Sequence, residues 1–109
     1  MRQYEIRWAR LPDPIGLRPI LLLTRTPAYS YLTKILAAEV TTRARGIPQE
    51  VALGLRDGLP KPCVVKLDNI HLVSTHAIGE SMAMLRAART VEIKRALGHA
   101  LFWPELMAL

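Results

Sequence analysis

The chain has 109 residues, 50% of them hydrophobic and 22% charged, a composition that excludes a disordered segment and predicts one packed domain over residues 1–109. Lys and Arg number 15 against 9 Asp and Glu, and the net charge of +6 favours an anionic partner: nucleic acid, an acidic protein segment or an anionic membrane surface. The single Cys63 excludes an intrachain disulfide, argues against a thiolate metal site and fits a reducing cytoplasm.

The N-terminal residues carry no secretory or membrane signal. Residues 4–11 alternate between polar and apolar side chains instead of forming the apolar centre of a signal peptide. The longest apolar run nearby, residues 19–23, is far too short to span a bilayer. We therefore expect a soluble protein of the cytoplasm that does not enter a membrane.

The first third of the chain predicts two strands and a helical turn. Residues 4–9 alternate with the period of a half-buried strand. Two prolines and a glycine in residues 11–16 indicate a loop, and a second strand follows over residues 17–25. Both faces of this second strand are apolar, so we expect both to be covered. Pro27 is tolerated at the first position of a helix, which favours one helical turn up to Tyr31.

The middle of the chain predicts several more strands. A third strand covers residues 34–42, with Val40 on its apolar face and Glu39 and Thr41 on the other. Turns are predicted at residues 46–48 and 57–58, and further strands at residues 49–53, 63–67, 71–73 and 81–85.

The last predicted element is a helix over residues 87–102, because apolar side chains such as Ile93 and Leu97 fall on one stripe. Pro104 is a natural stop just beyond it. Many short strands followed by one helix predict a mainly β fold with a C-terminal α-helix, built as a small and largely antiparallel barrel.

Polar side chains stand at the ends of three apolar strands, where a barrel gathers them onto one rim. They are Arg18, Thr41 with Thr42, and Lys66 with Asp68. An arginine followed by proline suits bidentate contact with a phosphate, and the alternative for Arg18 is a salt bridge to Glu39 or Glu5. Lys66 and Asp68 project from one face of their strand because side chains alternate. A guanidinium, a hydroxyl, an ammonium and a carboxylate on one rim have the chemistry to cleave RNA without a metal.

The order of these pieces resembles that of the MazF/PemK family of toxin endoribonucleases from bacterial toxin–antitoxin pairs. The matching segments are Gly16-Leu-Arg18-Pro19, then Val40-Thr41-Thr42 with Gly46-Ile-Pro48 and Glu50-Val51, then Val64-Val65-Lys66-Leu67-Asp68-Asn69 before an Ala- and Leu-rich helix. The resemblance covers nearly the whole chain. It implies an SH3-like antiparallel β-barrel of the PemK/CcdB-like kind with a C-terminal α-helix.

The resemblance also implies roles for four residues. The family's Arg-Pro arginine and the first threonine after the third strand belong to its cleavage site, and they match Arg18 and Thr41. An Arg-x-Asp pair with acid and base roles in the PemK-like branch matches Lys66 and Asp68, with lysine in place of arginine. The implied reaction is attack of a ribose 2′-hydroxyl on its own 3′-phosphate, which leaves a 2′,3′-cyclic phosphate and a 5′-hydroxyl without metal or cofactor. Asp68 is then the base, and Arg18 stabilises the phosphorane charge. Lys66 is the acid or a second electrostatic clamp, and Thr41 holds a phosphate oxygen or the 2′-hydroxyl.

Candidate RNA-binding residues flank these positions; they are Arg10, Thr42, Arg43 and Arg45. Arg43 and Arg45 follow the paired threonines and either track phosphates along single-stranded RNA or belong to a solvated turn. Arg10 is a similar candidate at the first loop. The three histidines are expected to be surface or packing residues, while Cys63 and Trp8 are expected to pack in the core.

The partners and two rival functions follow from the same resemblance. The family forms homodimers whose RNA grooves cross the subunit interface, and an acidic antitoxin blocks them; the +6 charge fits such a partner. The apolar residues 101–107 either fold back on the barrel or contribute to a dimer or antitoxin contact. The rivals are a CcdB-like toxin that inhibits DNA gyrase and a basic SH3-like module that binds RNA without cleaving it. The Lys66 and Asp68 pair favours the enzyme.

Overall fold

A computed structural model describes residues 1–109 as one antiparallel sheet followed by two helices. The strands are β1 (Glu5–Leu11), β2 (Gly16–Leu22), β3 (Lys34–Thr41), β4 (Glu50–Leu53), β5 (Cys63–Ser74) and β6 (Ile78–Met84), and the helices are α1 (Ala87–Leu101) and α2 (Pro104–Met107). Neighbouring strands are antiparallel, in the order β4-β5-β3-β2-β1-β6. The sheet curls, since Gly58 after the edge strand β4 lies against Ala83 of the other edge strand. The mainly β fold with a C-terminal helix is confirmed.

Strand β5 is where the sequence prediction was wrong, because it is one strand of 12 residues rather than two short ones. Its pairing with β3 is irregular: Ala38 pairs with Ile70, but the next residue, Glu39, pairs with Lys66. Residues 67–69 therefore bulge from the β3 ladder. Leu67 is buried while Asp68 and Asn69 are exposed, and the polarity of these two residues is typical of a turn. The backbone nonetheless stays extended through the bulge.

Both faces of β2 are covered, as predicted. Leu21 packs in the larger core cluster together with Ile93 of α1. Ile20 and Leu22 pack in a second cluster on the opposite face, where Tyr29 of the short 3-10 helix (Thr26–Ser30) covers them. The two clusters fix which way each β2 side chain points, and this sets the register of the strand against its neighbours.

The C-terminal segment folds back on α1. Helix α1 ends because Phe102 adopts a left-handed φ of 51°. Pro104 then opens α2, which lies so close to α1 that a Cβ added at Gly98 would stand 2.8 Å from the Leu106 Cβ. The sequence predicted that this segment either folds back on the barrel or contributes to a dimer or antitoxin contact; it packs on α1 instead of on the strands, and Phe102 and Trp103 remain exposed. Neither helix is long and apolar enough to cross a lipid bilayer.

Candidate functional site

A cleft of about 210 Å³ opens at one end of the sheet, where β2 begins and β3 ends. Its polar lining includes Arg18, Thr41 and Thr42. Its apolar walls include Trp8, Pro19, Val40, Leu59 and Met82. A partly apolar hollow with a guanidinium and two hydroxyls suits an anionic ligand that also carries a flat or apolar part.

The β2–β3 register brings Arg18 and Thr41 together. Ile20 pairs with Glu39, and paired residues of antiparallel strands point to the same face of the sheet. Arg18 lies two residues before Ile20 and Thr41 two residues after Glu39, so both side chains emerge on that face at the same end. Two positions predicted from the sequence therefore share one cleft.

The hydroxyl of Thr41 is oriented by the chain that follows it. Its Oγ1 accepts a hydrogen bond from the backbone N–H of Arg43 at 3.3 Å. A hydroxyl that accepts in this way keeps its own hydrogen and a further lone pair for a ligand. Thr41 is half-buried at the cleft, so such a ligand can reach it.

Arg18 faces the buried carboxylate of Glu39 on β3. Its Nε stands 3.9 Å from Oε1 of Glu39, and the second oxygen of Glu39 lies 2.5 Å from Nε2 of His71. Glu39 is the one charged residue among the buried residues, at 8% exposure. The salt bridge to Glu39 that the sequence offered as an alternative is therefore present, and Arg18 nevertheless lines the cleft.

Lys66 and Asp68 line a second hollow, of about 100 Å³, with Arg45, Gln49 and Glu50. The Nζ of Lys66 lies 3.8 Å from Oε2 of Glu50. The other oxygen of Glu50 accepts hydrogen bonds from the backbone, including the N–H of Arg45 at 2.8 Å. The structure thus places this pair in a hollow of its own rather than in the cleft of Arg18.

Lys66 of the second hollow emerges on the same sheet face as Thr41 of the first. Glu39 pairs with Lys66 across β3 and β5, and Thr41 pairs with Val64, so Lys66 emerges on the face that carries Glu39 and Thr41. Asp68 is exposed and falls in the bulge beyond Lys66, where β5 leaves its ladder with β3. Lys66 is therefore aligned with the cleft residues, and Asp68 lies past them along the strand.

The candidate RNA-binding residues are spread around these hollows. Thr42 lines the first cleft, and Arg45 lines the second. Arg43 lies between them in the loop after β3 and is exposed. Arg10 lines a further hollow on the other side of Trp8, which contributes to both. An extended anion crossing this end of the sheet would meet cations on either side of the cleft.

Two residues that the sequence assigned to the core, Trp8 and Cys63, line the cleft. Trp8 is 37% exposed and lines it, so the expectation of a core tryptophan was wrong. Cys63 is half-buried, packs on the larger core cluster and also lines the cleft. Burial and the nearby Asp57 carboxylate raise the pKa of the Cys63 thiol, against an opposing effect of Lys61. Nothing in strand alternation distinguishes an apolar cleft wall from a core position.

His71 and Glu39 are the polar residues whose significance the sequence understated. His71 was expected at the surface or in packing, and Glu39 only as a salt-bridge partner. The available signal was a carboxylate inside the otherwise apolar segment of residues 35–40. A buried carboxylate requires a compensating partner, which the sequence alone does not identify. No group of three or more His, Cys, Asp and Glu side chains is arranged to hold a metal ion.

The family model for the PemK-like, MazF-like toxin of type II toxin–antitoxin systems matches residues 2–101. The chain belongs to this family. Endoribonuclease MazF3 of Mycobacterium tuberculosis is 34% identical to this MazF-like chain over 83 residues, which cover 76% of the chain and 81% of the relative. Probable endoribonuclease MazF2 of the same organism is 33% identical over 98 residues, 89% of the chain and 94% of the relative.

Solved structures of MazF toxins share the fold. Mycobacterium tuberculosis toxin MazF-mt6 superposes with a TM-score of 0.84 at 32% identity, covering 90% of this chain and 96% of the other. An endoribonuclease in complex with its cognate antitoxin from Mycobacterial species has a TM-score of 0.83 at 25% identity, covering 95% and 97%. A MazE–MazF complex from Deinococcus radiodurans has a TM-score of 0.75 at 26% identity, covering 93% and 94%.

Proposed function

We propose that this MazF-like toxin is an endoribonuclease that cleaves single-stranded RNA without a metal, through attack of a ribose 2′-hydroxyl on the adjacent 3′-phosphate. The observation that carries the proposal is the shared cleft of Arg18 and Thr41, the two positions that match the family's cleavage site. Curated relatives that cover most of the chain are named endoribonucleases, which supports the same activity.

The chemistry assigned to the cleft is charge stabilisation. When the 2′-oxygen bonds to phosphorus, the phosphorane gains negative charge on its equatorial oxygens, and the bond to the 5′-oxygen then breaks. Arg18 offers a fixed cation to that charge in a partly enclosed hollow, where such a contact is stronger than in bulk water. Thr41 donates its hydroxyl hydrogen to a phosphate oxygen or accepts from the 2′-hydroxyl. The products are a 2′,3′-cyclic phosphate and a 5′-hydroxyl.

Proton transfer is assigned to the neighbouring hollow. Asp68 is the proposed base for the 2′-hydroxyl, and Lys66 is the proposed acid for the departing 5′-oxygen or a second electrostatic clamp. The shared sheet face of Lys66 and Thr41 supports a substrate that spans both hollows. Thr42, Arg43 and Arg45 line or flank that path, and their positions support contacts to the RNA backbone.

The proposal includes two protein partners, an acidic antitoxin and a second copy of the chain. Structures similar to this chain include an endoribonuclease with its cognate antitoxin and a MazE–MazF complex. The net charge of +6 supports an acidic partner. Exposed apolar side chains, among them the register partners Leu36 and Leu72, offer surface that a second copy would cover. RNA, antitoxin and toxin would meet in the cytoplasm.

Incubation of the purified protein with mixed-sequence single-stranded RNA in EDTA tests the activity. We expect discrete fragments whose 5′ ends are phosphorylated by a kinase without prior phosphatase treatment. An oligonucleotide with one 2′-deoxyribose at the mapped cleavage position should resist cleavage while binding equally well. Intact RNA at a large excess of protein would contradict the proposal. Gyrase inhibition with inert RNA would select the CcdB-like rival, and salt-sensitive RNA binding without cleavage would select the binding module.

A further inference from the structure

The carboxylate of Glu39 lies between Arg18 of the cleft and His71. It lies on β3 with Arg18 on one side, from β2, and His71 on the other, from β5. Its side chain is only 11% exposed, and Glu39 is not one of the residues that line the cleft. A buried carboxylate is tolerated when its oxygens meet cations or hydrogen-bond donors, and here each oxygen has one such neighbour.

The Nε of Arg18 lacks a hydrogen bond in this structure. This atom is buried, and the carboxylate oxygen that it faces stands 3.9 Å away. A hydrogen bond between these atoms would require an approach of about 1 Å. Contacts of this kind are often long in an unliganded site and tighten when the substrate is held. A guanidinium fixed by its Nε edge presents its two Nη groups to the cleft.

Because this arrangement would fix the direction of the guanidinium, we infer that Glu39 is a positioning residue for Arg18, and that His71 in turn holds Glu39. The inference rests on the proposed function, in which Arg18 receives the phosphorane charge. His71 contributes through Nε2, which stands 2.5 Å from the carboxylate and carries the hydrogen because an ionised carboxylate only accepts. The chain of contacts runs from His71 through Glu39 to Arg18 across three neighbouring strands.

A positioning role predicts a particular kinetic signature. Glu39→Gln removes the negative charge and keeps the size of the side chain, so the attraction between residue 39 and the guanidinium of Arg18 becomes weaker. We expect kcat to fall by about 10- to 100-fold while KM stays within about threefold, because misplacement of a catalytic group by about 1 Å costs on this scale. His71→Gln retains an N–H donor at a position close to Nε2 and should keep most of the activity. His71→Leu removes the donor and should lower kcat as Glu39→Gln does.

The control is a carboxylate of the same kind away from the cleft. Glu5 is 14% exposed in β1 and pairs with Arg7 at 3.2 Å. Glu5→Gln should therefore reproduce any loss that follows merely from removing a buried, ion-paired carboxylate. Unchanged kcat in Glu5→Gln together with reduced kcat in Glu39→Gln supports the inference. Equal losses in both variants would overturn it.

Two further measurements keep the test decisive. In the background of Arg18→Lys, which lacks the Nε–H, Glu39→Gln should cost less than about threefold in kcat, since Glu39 then has no guanidinium to orient. An undiminished loss there would overturn the inference. If Glu39→Gln fails to fold, Glu39→Asp replaces it; it keeps the charge and withdraws it by one methylene, and a kcat within about threefold of the wild type would count against the role.

The inference also has a readout that does not depend on RNA cleavage. With a 2′-deoxy oligonucleotide that cannot be cleaved bound to the protein, the ¹⁵N-labelled Nε–H signal of Arg18 should be resolved and slow to exchange in the wild type and broadened in Glu39→Gln, with the Arg7 signal unchanged. If the wild type leaves RNA intact but the Arg18 signal behaves in this way, the proposed function fails and the positioning contact stands. If RNA is cleaved but neither kcat nor the signal responds to Glu39→Gln, the positioning inference alone fails.

Discussion

Arg18→Ala separates the catalytic role of this arginine from its structural role. In the folded protein its Nε lies 3.9 Å from Glu39 Oε1, and its side chain is 32% exposed. At that separation two unit charges interact by about 4 kcal/mol at an effective dielectric of about 20. Solvent screening, desolvation and side-chain entropy offset most of this, leaving about 1 kcal/mol for a partly exposed pair. Glu39 keeps His71 as its partner, so we expect the free energy of unfolding to fall by about 1 kcal/mol.

The expected effect on activity is much larger. Removal of one fixed donor to a developing anion costs about 3–4 kcal/mol of transition-state stabilisation, or about 100- to 1,000-fold in kcat. Stability and activity should therefore diverge: the melting temperature falls by about 5 °C while cleavage nearly stops. At 25 °C the variant should remain folded, so unfolding cannot account for the lost cleavage.

Single-turnover cleavage of a labelled RNA in EDTA, paired with a thermal melt of the same sample, measures both quantities. The matched control is Arg7→Ala, since Arg7 is 24% exposed on the neighbouring strand and pairs with Glu5. Arg7→Ala should lose similar stability and keep kcat within about twofold. A kcat for Arg18→Ala within about threefold of the wild type, or an equal loss in Arg7→Ala, would refute the assignment of Arg18 to the reaction.

Three further changes test other parts of the structure. Thr41→Val should lower kcat by about 10- to 100-fold through loss of one hydrogen bond to a charged group, whereas Thr41→Ser should retain activity in the same cleavage assay. Gly98→Ala places a Cβ 2.7 Å from the backbone N of Met107; the cost of overpacking, about 1–3 kcal/mol, exceeds the helix-propensity gain of about 1 kcal/mol, so urea denaturation should show net destabilisation. Burial, with a contribution from Glu5, raises the pKa of Tyr29 to about 12. The stability that Tyr29 contributes through this raised pKa is therefore fully present below pH ~10 and is lost as the pH rises towards about 12. Tyr29→Phe should remove that loss of the free energy of unfolding, measured by denaturation from pH 9 to 12.

The third predicted strand agrees with the structure. It was predicted over residues 34–42 with Val40 on its apolar face, and β3 occupies Lys34–Thr41 with Val40 buried. Strand β5 was divided in the prediction because apolar Leu67 is followed by polar Asp68 and Asn69, which interrupt the apolar run. A bulge breaks the period without ending the strand, and only the pairing partner reveals it.

The site was predicted in part because strand ends can be located from sequence. Arg18 and Thr41 were placed at such ends, and antiparallel pairing brings the start of one strand to the end of the next. The burial of Glu39 could not be predicted in the same way, because strand alternation assigns a residue to a face of the sheet but does not show what covers that face. Trp8 shows the converse, an apolar residue on a predicted core face that lines a cleft and is partly exposed.

The bulge in β5 also completes a row of charged side chains across the sheet, which runs from Arg18 on β2 through Glu39 on β3 and Lys66 on β5 to Glu50 on β4. In a regular ladder the pairing of Ala38 with Ile70 would place the neutral Asn69 opposite Glu39. Because residues 67–69 are skipped, Lys66 stands there instead, while His71, beyond the bulge, still reaches the same carboxylate at 2.5 Å. Charges then alternate from strand to strand, and opposite charges in neighbouring positions stabilise a sheet. A slip of one residue would turn this row into the core, so the packing of buried side chains such as Val40 holds the functional groups on their face.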